Sequence, residues 1–237
     1  MSRVIRLGIG AGIVAATIAV VGAATAARLV YQKTTDFAGY EFNASKVTTT
    51  SARFTVPTVT CSGGNSGIGP GLFVVTTKRV LVGAGLIVSC RGSVVRYQMA
   101  TATTTAIGNG NKDQQAGALV EPEDVIFVQV HLSGRASSVT IRDLTANASH
   151  SQSGTGGRSS YVAVGDAAIT LNQLRVGVDR FTPVTFTKVM VQGKALARWR
   201  PYAVERYRGS ASHPIVQIRP GGLSHAGESF TLGFVHS

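Results

Sequence analysis

The sequence contains few of the residues that build metal centres and nucleophilic active sites. Its 237 residues include two cysteines and five histidines, and no pair among them has the spacing of a zinc ligand set. It has no G-x-S-x-G elbow, and no Ser, His and Asp set can be assembled from spacing. We therefore expect no metal site and no cofactor, and serine-hydrolase chemistry is disfavoured.

Acidic residues are also scarce. The chain has 11 Asp and Glu against 23 Lys and Arg, which gives a formal net charge of +12, although charged residues make up only 14% of the sequence. A strongly basic chain attracts polyanions. An anionic polymer or glycan of the cell envelope is therefore a candidate partner, while specific nucleic-acid binding is not expected. A general contribution of the charge to solubility is the simpler alternative.

Helical periodicity is missing as well. After Ala27 no stretch carries apolar residues at i, i+3, i+4 and i+7 over three turns. Short segments rich in Val, Ile, Phe and Thr occur instead, such as the one in which Ile126, Val128 and Val130 share a face. This pattern predicts an all-β fold, an antiparallel β-sandwich. Residues 148–160, rich in Ser and Gly, have the composition of a mobile loop.

The N-terminus has the features of an export signal. A short basic stretch precedes an uncharged apolar run, Leu7–Ala27, that contains the small-residue site Ala24–Ala26. We predict a signal peptide or N-terminal membrane anchor at 1–27, in contact with the membrane or translocon. A tether at 28–36 and a β-sandwich domain at 37–237 would follow, and the protein would be secreted or displayed on the cell surface.

Export bears on the two cysteines. In an oxidising compartment a single pair is expected to form one disulfide, Cys61–Cys90. Closing a loop of that length stabilises the fold by about 3–4 kcal/mol in the chain-entropy account. Two reduced thiols packed in the core are the alternative, because cysteine also behaves as a small hydrophobe.

Several motifs in succession carry a family resemblance. The segments FAGYEF, FTVPTVTC, GLFVVTTKRVLVGAGLIVSC, SVVRYQMATA, VEPEDVIFVQVHL, RDLTAN and FTPVTFTKVMV run in order from Phe37 to Val191. In this order they resemble the glutamic peptidases (the eqolisin, or G1, family). The resemblance implies a concanavalin A-like sandwich of two large curved sheets, with a cleft on one concave face.

The positions that carry catalysis in that family are changed here. The resemblance aligns the family's catalytic Gln with Gly83, its catalytic Glu with Ser160 and a substrate-side Glu with Ala102. Peptide hydrolysis of this type needs a carboxyl to activate water and an amide to stabilise the oxyanion. We therefore expect a retained fold without the family's chemistry. Tryptophans that line the family's cleft correspond to Phe37, Phe73, Thr101 and Tyr161.

A basic and aromatic segment, 198–208, is the strongest signal outside the resemblance. Arginine forks bind phosphate or carboxylate, and aromatic rings stack on bases or sugar faces. The alternative is a hairpin with solvated arginines and aromatics packed on the core. The candidate binding residues are Arg198, Trp199, Arg200, Tyr202, Arg206, Tyr207 and Arg208.

Three functions follow as hypotheses. The first is an exported, non-catalytic binding or structural protein on a glutamic-peptidase-like sandwich. The second is an acid-acting endopeptidase with displaced catalytic residues. The third is a carbohydrate-binding, lectin-like module, which an ordered row of exposed aromatic side chains would favour.

Overall fold

The computed structural model describes residues 30–62, 65–104, 114–167, 178–210 and 212–236. The predicted signal or anchor at 1–27 lies outside these residues. Within the described ranges no helix is long and apolar enough to span a membrane.

The described chain is an antiparallel β-sandwich, as the strand alternation predicts. The first sheet contains β1 (Tyr31–Thr34), β2 (Phe37–Asn43), β5 (Asn65–Ile68), β6 (Pro70–Thr76), β7 (Leu81–Arg91), β8 (Val94–Thr104), β9 (Gln114–Leu119), β13 (Ser159–Ala167) and β17 (Tyr202–Ser210). The second contains β3 (Thr49–Thr55), β10 (Val125–Ser133), β11 (Ala136–Asp143), β12 (Ala148–Thr155), β15 (Val184–Val191), β16 (Lys194–Ala195), β18 (His213–Pro220) and β19 (Phe230–Phe234). A separate ribbon pairs β4 (Val59–Thr60) with β14 (Arg180–Phe181), and a 3-10 helix covers Leu196–Trp199.

Strand β17 joins the two sheets. Its first residues, Tyr202–Val204, pair with β2, and its last, Arg206–Ser210, pair with β18. Hydrogen bonding is therefore continuous through seventeen described strands that fold over on themselves. In the first sheet the strand order is β9, β8, β7, β6, β13, β2, β17.

The predicted tether is wrong over Tyr31–Thr34, because these residues form β1 and pair in parallel with β17. The Tyr31 hydroxyl donates to the carbonyl of Pro220 at 3.1 Å, and its ring lies 5.1 Å from the guanidinium of Arg219. Sequence composition shows the polar residues of this segment but not the open strand edge that receives them.

Aromatic side chains bridge the sheets in the core. Tyr40, from the first sheet, meets Phe230 edge-on with ring centroids 4.9 Å apart, and Phe230 stacks on Phe186, also at 4.9 Å. Phe54 follows at 5.2 Å from Phe186. Such pairs add roughly 0.5–1.5 kcal/mol each beyond the area that they bury. Burial raises the pKa of Tyr40 to about 12, so its hydroxyl stays protonated and donates to the carbonyl of Gly221.

The first sheet also carries an apolar cluster on its other side, which we call the outer face. Strand alternation separates the two sides: Leu72 and Val74 pack in the sandwich core, whereas Phe73 between them packs on the outer face. The buried residues of the outer-face cluster are Phe37, Phe73, Leu81, Ala163, Ala167 and Val204.

A row of glycines crosses four adjacent strands of this sheet. Gly85 of β7 pairs with Gly71 of β6, which pairs with Gly165 of β13, which pairs with Gly39 of β2. A Cβ added to any of the four would lie within 2.5 Å of a neighbouring carbonyl oxygen. The backbones approach one another too closely for side chains, as at a bend or kink in a sheet.

The predicted disulfide, Cys61–Cys90, is confirmed, with Cα atoms 5.6 Å apart. It connects the chain just after β4 to strand β7. The loop expected at 148–160 is wrong over Ala148–Thr155, which forms β12 and pairs with β11 along its full length. The small residues there serve packing, since a Cβ on Gly154 would lie 2.5 Å from the hydroxyl of Thr103 in the first sheet.

The glycine row generates a stability prediction. Replacing Gly71 by Ala should lower the free energy of unfolding by about 1–3 kcal/mol, because the new Cβ would clash with backbone that cannot move independently. Gly233→Ala is the matched control, since its Cβ would meet nothing closer than 3.9 Å. Urea unfolding followed by circular dichroism measures both, and equal stabilities of the two variants would contradict the packing argument.

Candidate functional site

A row of directly paired residues runs across the first sheet and contains several of the candidate site positions on its outer face. Paired residues of neighbouring strands project their side chains to the same side of a sheet. Because Phe73 packs on the outer face, its partners in the row also face outward. In strand order the row is Ala102, Gly83, Phe73, Ala163, Glu41 and Tyr202.

Gly83 lies beneath the ring of Phe73. A Cβ placed on Gly83 would be 2.6 Å from Cδ1 of Phe73 and 2.7 Å from the carbonyl oxygen of Leu72. Both distances are well below van der Waals contact. The volume into which a side chain at position 83 would project is therefore taken by an aromatic ring, and Ala102 beside it offers only a methyl group.

Ser160 sits at an irregularity in the β13–β6 pairing, between Ser159 and Tyr161. Its hydroxyl donates to the carbonyl of Val75 at 3.0 Å, and its own carbonyl accepts from the backbone N–H of Ala44. The residue thus holds neighbouring backbone segments together. Nothing among these contacts would activate its hydroxyl as a base or nucleophile.

Glu41 is the one carboxyl in this row. It is buried, with 8% of its surface exposed, and the hydroxyls of Tyr161 and Tyr202 hydrogen bond with it. Tyr202 is its direct cross-strand neighbour on β17. On the other neighbouring strand, β13, Ala163 pairs with Glu41, and Tyr161 lies two residues before Ala163 and faces the same side. Both tyrosines are half-buried, so the cluster reaches the surface through their rings.

Burial dominates the proton affinities of this cluster. Burial raises the pKa of Glu41 above its ordinary value, and the nearby negative charge of Asp36 raises it further. The hydrogen bonds from the two tyrosines lower the pKa and offset only part of the rise. Burial and the adjacent Glu41 carboxyl raise the pKa of Tyr161 and of Tyr202. The tyrosines therefore remain hydrogen-bond donors, and Glu41 takes up a proton more readily than an exposed glutamate.

Comparison with known proteins identifies the family. A profile of the peptidase A4 family matches residues 35–202, the greater part of the chain. The chain belongs to the peptidase A4 family. No curated protein sequence matches it significantly.

Solved structures of glutamic peptidases share the fold of this peptidase A4 chain. Scytalido-glutamic peptidase superposes with a TM-score of 0.63 at 16% identity, over 85% of this chain and 98% of that one. SCP-B, of the eqolisin family, gives 0.61 at 17% identity over the same shares. Aspergilloglutamic peptidase from Aspergillus niger gives 0.54 at 14% identity, over 72% and 99%. The likeness confirms the predicted glutamic-peptidase fold and resemblance.

The structure divides the basic and aromatic segment of this peptidase A4 protein between separate environments. Arg206 is buried at 2% exposure and donates to Asp166 at 3.1 Å, so it does not face solvent. Tyr202 lies on the outer face beside Glu41. The other members are at least partly exposed: Arg198, Trp199, Arg200, Tyr207 and Arg208.

Two of those residues line an open groove on another part of the surface. The groove has a volume of about 770 Å³ and is lined by Lys194, Ala195, Arg198, Trp199 and Ala226. The Trp199 ring rests 5.6 Å from that of Phe42, and its indole N–H donates to the carbonyl of Val191 at 3.3 Å. Two cations beside a fixed aromatic ring can bind an anionic, ring-containing group.

Three other acidic groups of the described chain are engaged in local structure. Asp124 accepts from the backbone N–H of Glu121 at 2.8 Å, in the turn that leads into β10. Asp143 accepts from the backbone N–H groups of Thr145 and Ala146, as an Asx turn does. Asp179 lies near the two cysteines, but their sulfurs are bonded to each other and are not available as metal ligands.

Sequence reasoning missed Glu41. The only available signal was that FAGYEF contains one charged residue, Glu41, in an otherwise apolar strand, on the same side of the strand as Phe37. That position falls on the outer face of the sheet. The composition of the strand could not reveal Tyr161 and Tyr202, which lie 120 and 161 residues further along the chain.

The raised pKa of Glu41 predicts a pH-dependent stability. The unfolded chain loses the Glu41 proton at a lower pH than the folded chain does, so this group costs stability as the pH rises through its folded pKa. Glu41→Gln should therefore be more stable than wild type at about pH 7, and the difference should disappear below about pH 4. Urea unfolding at both pH values measures it, with Glu121→Gln as the exposed control. A variant less stable than wild type at about pH 7 would contradict the assignment.

Proposed function

We propose that this protein is an exported, non-catalytic member of the peptidase A4 family that binds an anionic ligand of the cell envelope. The observation that carries the proposal is the Phe73 ring, which covers Gly83 at the position matched to the family's catalytic Gln. The basic N-terminal sequence and the disulfide support export.

Positions 83, 102 and 160 lack the two groups that peptide hydrolysis needs. Water attack on a peptide requires a base for the proton and a donor for the oxyanion, each of which contributes about 100-fold or more to the rate. Gly83 and Ala102 carry no functional group, and the Ser160 hydroxyl is engaged with the carbonyl of Val75. A Gln side chain at position 83 would also displace the Phe73 ring. We infer that the outer face is packed around Gly83 and does not simply lack two side chains.

Anion binding is favoured by the groove at Lys194, Arg198 and Trp199. Arg3 and Arg6 lie in the N-terminal segment, so a processed chain would keep a net charge of +10. That charge raises the local concentration of polyanions, and the groove supplies directed contacts. Sulfated or phosphorylated glycans combine negative charge with a sugar face that a tryptophan ring can cover.

A second candidate is an acid hydrolase in which Glu41 replaces the missing carboxyl. The favouring observation is that Glu41 binds protons more tightly than usual and has two tyrosine donors beside it. The lectin-like alternative gains less, because Phe37 and Phe73 on the outer face are each only 6% exposed and do not form an open aromatic platform.

The non-catalytic proposal predicts no proteolysis. Incubation of the purified domain with unfolded casein between about pH 2 and pH 7, the range in which carboxyl groups titrate, should release no peptides above a heat-treated control. The double variant Gly83→Gln/Ser160→Glu should also be inactive and less stable, because the Gln side chain collides with Phe73 and the Glu removes the Ser160 hydrogen bond to Val75. Cleavage by wild type that Glu41→Gln abolishes would favour the acid hydrolase instead.

The groove proposal predicts salt-dependent binding. Lys194→Ala/Arg198→Ala should weaken binding of heparin, a sulfated glycan, and reduce the slope of log affinity against log salt by about one per lost contact. The matched control is Arg91→Ala/Arg142→Ala, which removes the same charge from exposed positions elsewhere. If both double variants lose the same affinity, the effect is one of net charge, and the groove is not the binding site.

A further inference from the structure

The described chain has four buried carboxyl groups other than Glu41, and each receives a cation or at least two N–H or O–H donors. Asp143 accepts from the backbone N–H groups of Thr145 and Ala146 on one oxygen, while its other oxygen has no partner. Asp166 binds the guanidinium of Arg206 at 3.1 Å and the backbone N–H of Gly69. Glu205 binds Arg219 at 2.8 Å and Lys33 at 3.8 Å.

Asp179 obtains its partners from serines. It accepts from the backbone N–H and the hydroxyl of Ser62 and from the hydroxyl of Ser66. Each of these carboxyl groups thus has either a cation or several hydrogen-bond donors supplied by the fold.

Like Asp143 and Asp179, Glu41 has no cationic partner in the described chain, but unlike them it receives no backbone N–H there. None of the ion pairs found within the described ranges includes it, although the chain has 23 Lys and Arg for 11 Asp and Glu. Its partners are the hydroxyls of two tyrosines, which donate hydrogen bonds but carry no charge. When it is ionised, Glu41 is therefore a buried negative charge without a positive partner, and such an unpaired charge is energetically costly.

We propose that Glu41, Tyr161 and Tyr202 form a binding site for an ammonium or guanidinium group. A carboxylate flanked by two tyrosines supplies both an ion-pair partner and ring faces for a cation. Phe73 and Val204 provide apolar walls on the same outer face. The cation would enter past Tyr161 and Tyr202, which are the partly exposed members of the cluster.

This site is distinct from the basic groove. Glu41 lies on the outer side of β2, whereas the next residue, Phe42, belongs to the sandwich core and contacts Trp199 of the groove. The two sites therefore lie on opposite sides of one strand. Ligands of opposite charge would be bound by the same molecule without competing for a contact.

The proposal includes a pH dependence. A bound cation favours the ionised carboxyl, so binding should release the Glu41 proton and weaken as the pH falls. The other titratable groups facing Glu41 are Tyr161 on β13, Tyr202 on β17 and Asp36 just before β2. The tyrosines stay protonated throughout, because burial and the carboxyl raise their pKa values.

Calorimetric titration with the blocked tripeptide acetyl-Gly-Arg-Gly-amide tests the proposal. The matched citrulline peptide has nearly the same shape without the charge, and spermidine distinguishes a small polyamine from a peptide side chain. Wild type should bind the arginine peptide or spermidine, and Glu41→Gln should weaken that binding by about tenfold or more. Tyr161→Phe and Tyr202→Phe should weaken it by about two- to tenfold, because each removes one donor that orients the carboxylate.

The controls separate this site from the proposed function. Glu121→Gln, an exposed position away from the site, should bind like wild type, and the Glu41→Gln variant should keep both a cooperative unfolding transition and its heparin affinity. Mass spectrometry of the recovered peptide reports hydrolysis independently of binding. Equal affinity of wild type and Glu41→Gln, equal affinity for the arginine and citrulline peptides, or no binding of either cation would overturn the proposal.

Discussion

Close backbone contact across the first sheet constrains everything on its outer face. Side chains on Gly39, Gly71, Gly85 or Gly165 would collide with neighbouring carbonyl groups, so this row must remain bare. The bare row makes room for the Phe37 and Phe73 rings, whose Cζ atoms would lie 2.9 Å from Cβ atoms on Gly39 and Gly71. The Phe73 ring then also covers Gly83. One packing constraint thus determines both the surface of the sheet and the absence of room for a side chain at position 83.

Electrostatics on the same sheet follows a consistent rule with one exception. The Asp166–Arg206 pair is buried on both sides, with 3% exposure of each side chain, and Glu205 receives two cations. These pairs hold β13, β1, β17 and β18 together, and removal of one member would leave a buried charge. Glu41 has only hydroxyl partners and instead holds its proton more tightly. In a basic protein an uncompensated carboxyl is a more informative feature than the abundant arginines.

Patterns that act between near neighbours were predictable from the sequence. Period-two alternation indicated the strands, because successive side chains of a strand face opposite sides, and the two cysteines of a chain expected to be exported indicated their disulfide. Composition gave wrong predictions where a polar segment pairs with a strand that is distant in sequence. The predicted tether is β1 on the free edge of β17, and the Ser- and Gly-rich segment is β12, which pairs with β11 and packs closely on β8.

The sequence by itself determined the all-β class, the glutamic-peptidase resemblance and the disulfide. Each of these depends on residue identity and local order. Only the tertiary structure decided that Arg206 is buried, that Lys194 and Arg198 share a groove with Trp199, and that Glu41 meets Tyr161 and Tyr202. These juxtapositions depend on strand order and register. Both are fixed by hydrogen bonding and packing between strands up to 172 residues apart, as in Tyr31 and Ala203, which leave no local mark in the sequence.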